Sequence, residues 1–124
     1  MDKKKILIIE DDRDFVRLLA MALNAKNYQV LVARDAIMAM SEAKKNQPDL
    51  ILLDLGLPAG DGFLVMERLT KTPSLSGTPI IVVSARDPAI NKDRAINAGA
   101  TAYFQKPADN DALLAAIKQA LGEK

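Results

Sequence analysis

Leu50-Ile51-Leu52-Leu53-Asp54-Leu55-Gly56-Leu57-Pro58 is an apolar run that ends on a carboxylate and passes straight into a loop. An apolar run with no polar alternation is the signature of a strand buried on both faces of a parallel sheet. The same kind of run recurs on either side of it, at Ile6 to Ile9, Val30 to Ala33, Ile80 to Val83 and Ala102 to Phe104. Longer amphipathic segments lie between. Phe15, Leu18 and Ala22 keep helical spacing in the first, Met40 and Ala43 in the second, and Leu114, Ile117 and Leu121 in the last. Asp12 is placed to start the first helix, Asp35 to cap the second, Asp87 to precede Pro88 at the start of the fourth, and Asp109 to cap the fifth. Gly99 stands where the fourth helix stops. That helix, Pro88 to Ala98, has a thin apolar face of Ile90, Ala95 and Ala98, which marks it as a weakly anchored, movable part. Five such strand–helix units predict an open α/β sandwich with right-handed crossovers and helices on both faces.

The 124 residues fit a single domain over 1–124, and the run shows no linker, low-complexity stretch or further repeat. An apolar fraction of 49% and a charged fraction of 27% are those of an ordinary soluble protein. A formal net charge of +1 provides no long-range field to attract nucleic acid or an acidic membrane. Met1-Asp2-Lys3-Lys4-Lys5 is basic, but the apolar run after it is too short for a signal peptide or a span, so a cytoplasmic location is expected. The ending Leu121-Gly122-Glu123-Lys124 reads either as a stop after a capped helix or as a boundary within a longer regulator. With no Cys there is no thiol nucleophile or thiolate zinc site, and with no His there is no imidazole base and no phosphohistidine. Chemistry is left to carboxylates, hydroxyls, Lys and a hard cation, for which oxygen ligands favour Mg²⁺ over Zn²⁺.

Polar residues follow directly on the apolar runs. The first run ends in Glu10-Asp11-Asp12, the third in Asp54, the fourth in Ser84-Ala85, and the fifth leads through Gln105 into Lys106-Pro107. In a parallel sheet these positions share one edge, whatever their separation in sequence. Clustered carboxylates repel one another and call for a cation, which Lys106 supplies only in part. With Mg²⁺ present such a rim can accept a phosphoryl group on Asp54 as an acyl phosphate, the metal and Lys106 spreading charge on the transferring oxygens. Each residue alone has a plainer reading: Asp12 as a helix cap, Asp54 as a turn residue, Ser84 as a local hydrogen-bonder, Lys106 as a solvated charge, Tyr103 as an amphipathic strand end. These plainer readings must all hold together to defeat the functional one.

Taken in order, these segments resemble the receiver domains of bacterial two-component response regulators, over the whole chain. The resemblance rests on Ile6 to Asp12, on Asp54-Leu55-Gly56-Leu57-Pro58 with Asp61-Gly62, on Ser84-Ala85, on Tyr103 and on Lys106-Pro107. It implies a flavodoxin-like doubly wound sandwich with strand order 2-1-3-4-5. It implies Asp54 as phosphoacceptor, Asp11, Asp54 and the Gly56 backbone carbonyl as Mg²⁺ ligands, and Glu10 assisting through water. It further implies Ser84 and Tyr103 as switch residues, Lys106 as the phosphoryl contact followed by a cis-proline, and a responsive surface of the fourth helix, fifth strand and fifth helix. Gly56 and Arg86 stand where the family tunes hydrolysis of the acyl phosphate. The implied donor is a sensor histidine kinase or histidine phosphotransfer protein, and the implied output is a downstream protein, without direct nucleic-acid or membrane binding. Thr101 to Gln105 carry no acid and Ala112 and Ala116 no charge, which favours a monomer or a weak phosphorylation-dependent dimer over the paired form of transcription-factor receivers.

Three rival readings make different demands on the same residues. A phosphatase or phosphomutase with an Asp nucleophile needs a second acid where Gly56 stands. A flavodoxin-like cofactor binder needs a hydroxyl- and glycine-rich phosphate loop where Glu10-Asp11-Asp12 stands. A degenerate receiver would lack the acceptor, metal ligand, hydroxyl or Lys that are all in place.

Overall fold

A computed structural model describes residues 3–123; Met1 and Asp2 of the basic amino-terminal run and the closing Lys124 lie outside them. The elements run β1 (Lys5–Ile9), α1 (Arg13–Ala25), β2 (Gln29–Ala33), α2 (Ala36–Asn46), β3 (Leu50–Leu53), α3 (Gly62–Lys71), β4 (Ile80–Ser84), α4 (Pro88–Asn97), β5 (Ala102–Gln105) and α5 (Asn110–Ala120). The five strands are parallel in the order β2-β1-β3-β4-β5. Ser84 and Gln105, read from sequence as following their runs, are the last residues of β4 and β5.

Period-two alternation sorts the strand side chains into two cores. Ile6 and Ile8, with Leu50, Leu52, Ile81 and Val83, pack against Leu19 and Leu23 of α1 and Leu113 and Ile117 of α5. Leu7 and Ile9, with Ile51, Leu53 and Val82, pack against α2, α3 and α4. The three central strands are buried almost throughout, whereas β2 and β5 are half-covered, because an edge strand has a neighbour on one side only.

Two apolar positions fall differently from their sequence reading. Leu18 is 62% exposed, and the inward face of α1 is set by Leu19 and Leu23, with Phe15 and Val16 beside them. In α4, Ile90 is 76% exposed and only Ala95 is buried, so the helix is anchored even more thinly than its spacing predicts. It ends at Asn97, with Gly99 just beyond at φ +117°, a conformation that costs glycine little.

Every helix begins on an aspartate. Asp12, Asp35, Asp61, Asp87 and Asp109 each accept from main-chain N–H groups of the first turn. An N-cap of this kind contributes about 1 kcal/mol, and its charge also suits the positive end of the helix. Asp61 is the cap that the sequence reading did not single out.

At the opposite end of the sheet, the Tyr28 hydroxyl donates to Glu123 Oε1 at 2.5 Å, tying the end of the chain to the start of β2. Burial first, and then the Glu123 carboxylate, push the Tyr28 phenol up to about 12. A raised folded-state value means that this contribution to stability is whole below pH 10, the ordinary value, and is lost as pH rises through about 12. The difference between ultraviolet titrations of the wild type and Tyr28→Phe is therefore expected to show a phenol ionising near 12, and Glu123→Gln to bring it down. A midpoint near 10 in that difference would contradict the contact. No helix among the described residues is long and apolar enough to cross a membrane.

Candidate functional site

The parallel ladder continues one residue past three strands. Glu10 N–H donates to the Ala33 carbonyl at 2.9 Å, Asp54 N–H to Ile9 at 3.0 Å and Lys106 N–H to Ser84 at 2.8 Å. These bonds hold Glu10, Asp54 and Lys106 at the carboxyl edge of the sheet, where the strands turn into loops. Asp11 is carried there by the same β1 exit. Oxygens of Glu10, Asp11 and Asp54 all lie within 4.8 Å of one another. Glu10 and Asp54 are buried and Asp11 is exposed, so the group opens to solvent on the Asp11 side.

Lys106 is the cation nearest this group. Its ammonium is paired with Glu10 Oε1 and lies 3.7 Å from Asp54 Oδ2. It also sits 4.4 Å from the centre of the Phe15 ring, a cation–π contact that orients it toward the acids. Burial pushes the Glu10 carboxyl above its ordinary range, and the negative charge of Asp54 adds to this; the bonds from Lys106 and the Asp12 N–H oppose it. The Asp12 N–H reaches Glu10 Oε2 at 3.1 Å, so both Glu10 oxygens are engaged. A pocket with three carboxylates and one ammonium is short of positive charge, and an oxygen-only shell of this kind suits a hard divalent cation.

The other positions singled out from sequence lie around the same rim. Gly56 is exposed, and its N–H points to Asp54 Oδ1 at 3.4 Å. Ser84 is buried, and its hydroxyl accepts from the Arg86 N–H at 3.2 Å. Tyr103, half-buried against the α2-α3-α4 core, donates its hydroxyl to the Arg86 carbonyl at 2.8 Å. Burial pushes the Tyr103 phenol above its ordinary value. Ser84 and Tyr103 thus grip the main chain of one residue, which lies directly before the Asp87 cap of α4. The Lys106–Pro107 peptide is cis.

Two members of the rim are not marked as site neighbours by motif or spacing. By spacing Phe15 is only part of a helix face, although the third residue after an N-cap at a strand exit stays close to that exit. Asp61 belongs by motif to the loop after Asp54, and its Oδ2 pairs with Arg86 Nη2 at 3.0 Å.

The response regulator receiver domain family matches residues 6–118. The chain is 40% identical over 116 residues to the transcriptional regulatory protein KdpE of Staphylococcus aureus, covering 94% of this chain and 49% of that protein. It is 33% identical over 114 residues to the response regulator PleD of Caulobacter vibrioides, covering 92% of this chain and 25% of PleD. The chain therefore spans about a quarter to a half of these curated relatives. Among solved structures, a CheY-like response regulator receiver domain protein from Methanospirillum hungatei superposes with TM-score 0.89 at 30% identity, covering 98% of this chain and 95% of that one. A two-component response regulator from Clostridium difficile does so with TM-score 0.90 at 28% identity, covering 97% of each.

Proposed function

This chain belongs to the response regulator receiver domain family, and from that premise we propose that it accepts a phosphoryl group onto Asp54 from a phosphohistidine on a partner kinase or phosphotransfer protein. Receiver domains are signalling domains, and the donor imidazole lies outside residues 1–124, which include no His. The observation that carries the reading is the position of the Asp54 carboxylate, inside an acidic group and 3.7 Å from the Lys106 ammonium.

Asp54 attacks phosphorus through a carboxylate oxygen; the new P–O bond forms as the P–N bond to the donor imidazole breaks, and the imidazole departs with the bonding pair. The Gly56 N–H at Oδ1 and Lys106 near Oδ2 orient the nucleophile. Lys106 then neutralises the incoming phosphoryl oxygens without moving far, which limits the cost of reorganisation in the transition state. Asp11, Asp54 and the Gly56 carbonyl, with Glu10 through water, are the groups that would hold Mg²⁺. Such an ion supplies the positive charge that the carboxylates and the transferring oxygens lack.

The switch runs through Ser84 and Tyr103. A phosphoryl group on Asp54 offers an acceptor to the Ser84 O–H, and turning the side chain toward it draws Oγ away from the Arg86 N–H. Releasing that N–H loosens the loop that Tyr103 also holds, ahead of the thinly anchored α4. The readout is a changed α4-β5-α5 surface presented to an output domain or partner in the cytoplasm. Residues 1–124 make up one receiver unit, monomeric or weakly dimeric once phosphorylated.

Incubation with acetyl phosphate and Mg²⁺ is expected to add one phosphoryl mass to the intact protein, and excess EDTA to prevent it. Equal uptake with EDTA would remove the metal from the account; no uptake at all would remove the acceptor.

A further inference from the structure

Arg86 carries more than its backbone contacts. Its N–H and carbonyl are fixed by Ser84 and Tyr103, but its guanidinium reaches across to the β3–α3 loop and pairs with Asp61 Oδ2 at 3.0 Å. The other Asp61 oxygen, Oδ1, accepts the Phe63 N–H at 2.8 Å, so one carboxylate caps α3 and holds Arg86 at once. The cap is rigidly seated: Gly62 N–H donates to the Leu55 carbonyl at 2.8 Å, directly after the acceptor residue. The pair therefore bridges the two loops that leave β3 after Asp54 and β4 after Ser84. Burial alone would raise the Asp61 carboxyl, but the Phe63 N–H, Arg86 and Arg94 together hold it below its ordinary value, which keeps it charged as a partner.

Resting on the assignment of Asp54 as acceptor, we infer that Asp61 is a positioning residue that sets the lifetime of the acyl phosphate by drawing the Arg86 guanidinium away from it. A phosphoryl group carries more charge than one carboxylate and offers three oxygens to a guanidinium fork. A phosphorylated Asp54 would thus compete with Asp61 for the Arg86 guanidinium. When it lies against the phosphoryl oxygens, its bulk obstructs the water that must approach opposite the scissile bond. In hydrolysis a water oxygen bonds to phosphorus as the bond to Asp54 Oδ breaks. The Asp54 carboxylate leaves with the electron pair, and the water's protons pass to phosphate and solvent. Any time Arg86 spends on the phosphoryl group slows that step; any time on Asp61 permits it. Both side chains are partly exposed, 37% for Arg86 and 46% for Asp61, and exposed pairs of this kind shift an equilibrium by about two- to five-fold.

The experiment loads the intact chain with acetyl phosphate and Mg²⁺, removes the donor, and follows loss of the phosphoryl mass with time. Asp61→Asn keeps an oxygen for the Phe63 N–H and loses the charge; its half-life is expected to lengthen by about two- to five-fold. Asp61→Glu, which restores the carboxylate, is expected to bring it back toward wild type. Arg86→Ala is expected to be no longer-lived than wild type, and Asp61→Asn with Arg86→Ala to match Arg86→Ala alone. A purely structural role for Asp61 would lengthen or shorten the half-life regardless of Arg86. The inference is overturned if Asp61→Asn decays as wild type, or if its effect persists without Arg86. A wild type that never takes up the phosphoryl group would instead overturn the Asp54 assignment itself.

Discussion

Asp54→Asn is expected to leave a folded protein that takes up no phosphoryl group from acetyl phosphate, a loss of the whole signal rather than a reduction. The amide has the shape of the carboxylate and keeps an oxygen for the Gly56 N–H, so the loop has no reason to move. It lacks the anionic oxygen that must bond to phosphorus, and neighbouring Asp11 is not an equivalent substitute, because it is exposed on the solvent side of the group. Stability should not fall. Glu10, Asp11 and Asp54 crowd negative charge within 4.8 Å, and Lys106 is held by Glu10 whether or not Asp54 is charged. Removing one of three like charges relieves repulsion, so the thermal midpoint is expected to stay or rise. Intact mass after incubation, with the unfolding curve alongside, checks both parts. Undiminished labelling of a folded Asp54→Asn would move the acceptor elsewhere.

The fold could be read from sequence because buried parallel strands cannot alternate: Ile6 to Ile9, Leu50 to Leu53 and Ile80 to Val83 each face helices on both sides. The rim was readable for a related reason. Parallel strands bring their exits together, so Glu10 and Lys106, 96 residues apart, needed only the strand assignment to be placed side by side. Where several apolar residues compete within one turn, spacing stops deciding. Phe15, Val16, Leu18 and Leu19 supply more apolar surface than α1 can bury, and only packing against Ile6 and Ile8 selects Leu19 over Leu18. Ile90 was misplaced because α4 has so little apolar surface that any Ile looks inward. Loop side chains were the least legible. The Asp61–Arg86 pair depends on where two loops aim their side chains, which neither periodicity nor strand order encodes.

Gly62→Ala is expected to cost about 2 kcal/mol of stability, against the trend of helix propensity. Gly62 is the first residue of α3, and the roughly 1 kcal/mol by which alanine is favoured over glycine in a helix interior is the most the exchange could gain there. A Cβ there, however, would lie 2.6 Å from the Asp54 carbonyl oxygen and 2.6 Å from Leu55 Cα. Both are main-chain atoms, so no side chain can swing aside; either the exit of β3 or the start of α3 must shift. Overpacking of that kind costs about 3 kcal/mol, which outweighs the propensity gain. Gly77 provides the control, since a Cβ there meets nothing within 4 Å, and Gly77→Ala should change stability by less than about 1 kcal/mol. Denaturant unfolding of the two variants beside the wild type separates the effects. The same displacement reaches function, because the strained atoms belong to the acceptor and its neighbour. Phosphoryl uptake by Gly62→Ala should slow even at temperatures where the variant is fully folded, while Gly77→Ala should label at the wild-type rate. A Gly62→Ala variant as stable as the wild type would mean that α3 does not press on the Asp54 main chain, and that the seating of Asp61 over the site is looser than the Gly62–Leu55 hydrogen bond indicates.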